Sequence, residues 1–126
     1  MEKANVLAAW IGILLGLASG GLQGLFFHKE KWMGGYGSWE RRMLRLGHIS
    51  FFGIALLNIS FAFTVSYIVD PLYIQLPSYF LIIGAVSMPI GCYLAAFRKV
   101  FRHFFYLPVA SLLVGIAIFT WGIISK

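Results

Sequence analysis

Charge is what this sequence has least of. Ten basic and four acidic residues make up 11% of its 126 positions, against about 25% in a soluble globular domain. A water-facing surface is hard to furnish from that stock. Cysteine is scarcer still. Cys92 stands alone inside an apolar run, so no intrachain disulfide can form, and the thiol reads as a small hydrophobe. The spacings that mark common chemistries are also missing: no HExxH, no CxxC, no glycine-rich phosphate loop and no serine in a nucleophile-elbow setting. Hydrolysis and ATP use are not expected, and the chain reads as having no catalytic activity of its own.

What is present is hydrocarbon. Sixty per cent of the residues are hydrophobic, twelve of them Phe, and the mean hydropathy is +0.86. A spanning helix needs roughly 20 residues, so the chain has room for four and little else. The expected fold is an all-α integral membrane protein: one four-helix transmembrane bundle over 1–126, with spans at about 5–27, 46–69, 79–97 and 103–124. A short interfacial segment is expected between the first two. The N-terminal apolar run is longer than a signal peptide needs and carries only Glu2 and Lys3 before it, so it is read as a lasting helix.

The first span carries Ala8, Gly12, Gly16, Gly20, Gly24 and His28 at every fourth position. So much glycine disfavours a helix in water, whereas in a bilayer it lets two backbones approach closely. Residues four apart advance about 40° past a full turn, so the row is an inclined ridge, suited to a crossed helix pair or two successive partners. Gly84 and Gly91 supply a second such surface on the third span, where Pro89 removes a backbone donor and predicts a kink. Asn58, deep in the second span, is expected to hydrogen-bond to another helix.

Eight of the ten basic residues fall in two connections: Lys29, Lys31, Arg41, Arg42 and Arg45 in the first, then Arg98, Lys99 and Arg102 in the third. The second connection, with Asp70, Pro71 and Pro77, has none. That pattern marks topology and lipid contact, not nucleic-acid binding. By the positive-inside rule both basic connections are cytoplasmic and both termini lie outside, as in a multi-pass protein of a bacterial inner membrane. Trp32, Trp39 and Met43 beside these arginines suit a chain at headgroup depth, and Ser38 is a candidate helix cap with Glu40 in the first turn.

The only histidines, His28, His48 and His103, stand at span ends on that same side. They are candidate ligands for a b-type haem, with Arg41, Arg42, Arg45 and Arg102 as candidate contacts for its propionates or for lipid phosphates. Interfacial hydrogen bonding is the plainer role for all three. Expected partners are membrane lipids and other membrane subunits or further copies of the chain. The leading expectation is a small helix-packing accessory subunit of a larger membrane complex, for example a respiratory or photosynthetic one. The alternatives are a haem- or quinone-linked electron-transfer subunit, and a small oligomeric transporter or channel with Asn58 on its path.

Overall fold

The computed structural model describes residues 2–68 and 70–125; Val69, the expected last residue of the second span, lies outside them. Helix α1 covers Glu2–Phe27, α2 Trp39–Thr64, α3 Leu72–Phe97 and α4 Tyr106–Ile124, with short 3-10 helices at Trp32–Gly34, Val65–Tyr67 and Lys99–Phe105. No strand occurs among the described residues. Four helices are long and apolar enough to cross a membrane.

Two spans start earlier than expected, and the reason is capping. Helix α2 begins at Trp39, not 46, because the Ser38 hydroxyl accepts from the Arg41 amide at 3.2 Å and donates to the Met33 carbonyl at 2.6 Å. The expected interfacial segment therefore shrinks to the loop around Trp32–Gly34. There Met33 at φ 51° precedes Gly34 at φ 79° and Gly35 at φ 93°, a left-handed run in which the two glycines pay no Cβ penalty. Helix α3 begins at Leu72, not 79, because the Asp70 carboxylate accepts from the Leu72 amide at 2.9 Å. Pro77, expected to end a turn, instead lies inside α3 with Pro89, and the helix is continuous through both. In α4, Pro108 falls in the first turn, where a missing N–H costs nothing.

Helices α2 and α3 form the central pair. Helix α1 lies along α2 and touches α3, α4 lies along α3, and α1 and α4 have at most marginal contact. The central pair closes on α4 through Phe61, Val65 and Ile68, Leu81, and Phe119; the Phe61 and Phe119 rings meet edge-on at 4.8 Å. This cluster sits at the end away from the basic connections. At the other end, called here the basic face, the Trp39 indole donates to the Ala95 carbonyl at 2.7 Å. That carbonyl belongs to the last turn of α3, where the helix itself offers no donor.

Close approach at glycines sets these contacts. A Cβ on Gly16 would stand 2.8 Å from the Phe52 ring, and one on Gly12 3.3 Å from the Phe51 carbonyl. Gly20 is covered by the His48 imidazole. On α3, Leu112 fills the space over Gly84, and Phe104 that over Gly91. The inclined ridge is thus spent on α2 as far as Gly20. A Cβ on Gly24, expected to pack, would meet nothing within 4 Å outside its own helix turn.

Candidate functional site

Polar side chains inside the helices form two layers. The first joins three helices near the end opposite the basic face. Asn5 Nδ2 donates to Asn58 Oδ1 at 2.8 Å, and the Ser78 hydroxyl donates to Asn5 Oδ1 at 2.5 Å. Asn58 Nδ2 in turn reaches the Ile54 carbonyl at 2.9 Å. All three residues are at 0% exposure. Asn58 is thus hydrogen-bonded to another helix.

The second layer lies toward the basic face. Gln23 Nε2 donates to the Tyr93 hydroxyl at 3.1 Å, tying α1 to α3. One turn earlier on α1, Ser19 Oγ sits 3.4 Å from His48 Nδ1 and gives its proton to the Gly16 carbonyl at 3.1 Å. A hydroxyl has one proton, so the contact with His48 is a hydrogen bond only if Nδ1 carries the hydrogen. Nε2 is then the imidazole's lone-pair nitrogen. The ring is held edge-on against Phe52 with centroids 5.3 Å apart.

Between these layers α1 and α3 stand apart. The gap is a cavity of about 500 Å³ floored by Phe51 of α2, with small residues Ala8, Gly12, Ala85 and Pro89 in its walls. Beyond the Gln23–Tyr93 bond, the α1 side opens into a smaller slot of about 270 Å³ bordered by Leu22, Phe26, Trp32 and Phe97.

The histidines do not share surroundings. His28 lies exposed just past α1, and His103 lies exposed on the last 3-10 helix, its ring stacked at 6.3 Å on Tyr106. Only His48 is half-buried between helices. Among the described residues no three His, Cys, Asp or Glu side chains come together to hold a metal ion. Cys92 is fully buried against the Gly47 backbone.

The arginines divide as well. Arg41 is at 3% exposure. Its Nε donates to the Trp32 carbonyl at 2.6 Å, its Nη2 donates to the Lys29 carbonyl, and its guanidinium lies 5.6 Å and 5.4 Å from the Phe27 and Trp32 ring centroids. It closes the loop at the end of α1, where positive charge suits the helix dipole, and is spent there. Arg45 covers the Tyr36 ring at 4.4 Å. Arg42 and Lys99 each approach Trp39, at 5.9 Å and 5.8 Å. Arg102 stands exposed.

Reading by residue type singled out Asn58 but not its partners. Asn5, Ser78 and Gln23 each look ordinary; only an uncharged polar residue every few turns of an apolar helix hinted at them. Compared with known proteins, the chain matches no family model, no curated protein and no solved structure.

Proposed function

We propose that the chain is a small helix-packing accessory subunit of a larger membrane assembly, seated in a bacterial inner membrane with its basic face toward the cytoplasm. One observation carries this reading: the buried polar side chains are spent on building the helix array. Among the described residues every buried side-chain nitrogen and oxygen has a hydrogen-bond partner, and the longest-range bonds join separate helices. The surface left for a neighbour lies outside the seams already used. A Cβ placed on Gly21 or Gly24 of α1 or on Gly53 of α2 would meet nothing within 4 Å, which permits another helix to approach closely. Purification in mild detergent with mass analysis of partners tests the proposal. The expected result is co-migration with other membrane subunits or with further copies; a lone 14.1 kDa chain overturns it.

A second reading, a b-type haem or quinone subunit, is favoured by the Ser19–His48 contact. A metal-ligating histidine typically donates its second ring N–H to a neighbour, and Ser19 Oγ, 3.4 Å from His48 Nδ1, is placed to accept from it in the tautomer that leaves Nε2 free. His48 then supplies one ligand, and the other comes from exposed His28 or His103 or from another chain. Arg41 is already engaged, so Arg42, Arg45 and Arg102 are the cations left for propionates. An optical spectrum of the same preparation without Soret absorption and an extract without quinone remove this reading.

A further inference from the structure

We propose that the gap between α1 and α3 holds one acyl chain of a phospholipid whose phosphate rests against the cations of the basic face. The cavity opens sideways: its rim residues Ile11, Leu15, Val86 and Ile90 are each about half exposed, at 47%, 47%, 57% and 47%. In a membrane that side meets hydrocarbon. The walls offer almost nothing polar beyond the Tyr93 hydroxyl, which accepts from Gln23 and keeps one proton to donate, and a water there would lack the two to four partners it needs. A helix does not fit either. The Asn5–Ser78 and Gln23–Tyr93 bonds pin α1 to α3 at both ends of the gap, whereas a helix with its side chains is about 10 Å across. A flexible, chain-width guest remains.

Charge selects the phospholipid. From Leu94, at one end of the cavity, Arg98 and Lys99 lie only about one turn further along the chain. Lys29 stands at the end of α1, its ammonium 5.4 Å from the Phe26 ring that borders the smaller slot. Buried Arg41 apart, the two basic connections carry seven cations against two carboxylates, Glu30 and Glu40, which favours an anionic headgroup at that depth.

The test uses the full chain in mild-detergent micelles titrated with phosphatidylglycerol bearing a diazirine in its acyl chain. After photolysis, peptide mass analysis should find several-fold more label at Ile11, Leu15, Val86 and Ile90 than at lipid-facing Leu113 and Ile124. The excess should saturate and be competed by unlabelled phospholipid, but not by diacylglycerol or a polyprenyl quinone. Plugging the gap with Ala8→Phe and Ala85→Phe should reduce it at least fivefold while label at Leu113 stays unchanged. Uniform, non-saturating label on the wild-type chain overturns the proposal, as does displacement by quinone alone; both are read without any variant.

Discussion

Replacing Asn5 by Leu tests whether the three-helix polar layer holds α1 in place. The substitution keeps size and removes two side-chain bonds, to Asn58 at 2.8 Å and from Ser78 at 2.5 Å. Interhelical hydrogen bonds in membranes are worth about 0.6–2 kcal/mol each, and stranding a buried acceptor adds a desolvation cost. Ser78 can turn its hydroxyl to the carbonyl four residues back, but Asn58 Oδ1 has no such recourse. Asn5→Leu should therefore cost about 2–3 kcal/mol. Asn58→Leu, which leaves Asn5 Nδ2 only the Ser78 carbonyl at 3.5 Å, should cost a similar amount. The double variant leaves only Ser78 to be re-satisfied, so it should fall short of the sum of the singles by about 1–2 kcal/mol. Unfolding by SDS in mixed micelles, followed by the fluorescence of Trp10 on α1, gives the three values. If the singles add to the double within about 0.5 kcal/mol, the layer is not a coupled network and the reasoning fails.

The glycine ridge predicts opposite outcomes along one helix. Gly16→Ala should destabilise by about 1–2 kcal/mol through its clash with Phe52 and Phe51, while Gly24→Ala, in open space, should be neutral or stabilising in the same titration. Arg41→Gln should free the loop after α1 and raise tryptic cleavage at Lys29 and Lys31 about tenfold or more, since each hydrogen bond from a charged group contributes about 1.5–3 kcal/mol; unchanged cleavage would mean the loop is held by its glycines. Trp39→Phe keeps the ring and loses the indole bond to Ala95, and should lower stability by about 1 kcal/mol. A variant as stable as wild type would show that water replaces that donor.

Hydropathy and length made four helices long and apolar enough to cross a membrane legible, because a 20-residue apolar run has few other destinies. Of the helix starts, the Ser38 cap with Glu40 in the first turn was legible, but how far each helix extends was not. Trp39 to Arg45 is too polar to read as membrane helix, yet Ser38 caps it and the helix simply continues past the apolar stretch. Pro77 read as a boundary because proline usually is one, and the Asp70 cap outweighed it. Glycine spacing showed that α1 packs closely but not where the packing ends; the side chains that cover Gly12, Gly16 and Gly20 lie more than 25 residues away. The site was the least legible part. Histidine spacing put three imidazoles at one depth, whereas their surroundings are set by α1 at Ser19, by solvent, and by Tyr106. The gap between α1 and α3 is a property of two helix axes and has no sequence signature.

The bonds of Asn5 also set an order for insertion. Its partners lie 53 and 73 residues downstream, which at a synthesis rate of about 5–20 residues per second is a wait of roughly 4–15 s for Ser78. An α1 that entered a bilayer before Asn58 and Ser78 were made would carry an amide short of its partners. Asn5 is three residues from Glu2 and two from Lys3, so it can stay at the aqueous boundary until α2 and α3 arrive, then sink as they dock. Helix α1 is in this sense placed after the two helices made later than it, and α2 with α3 is the platform that receives it.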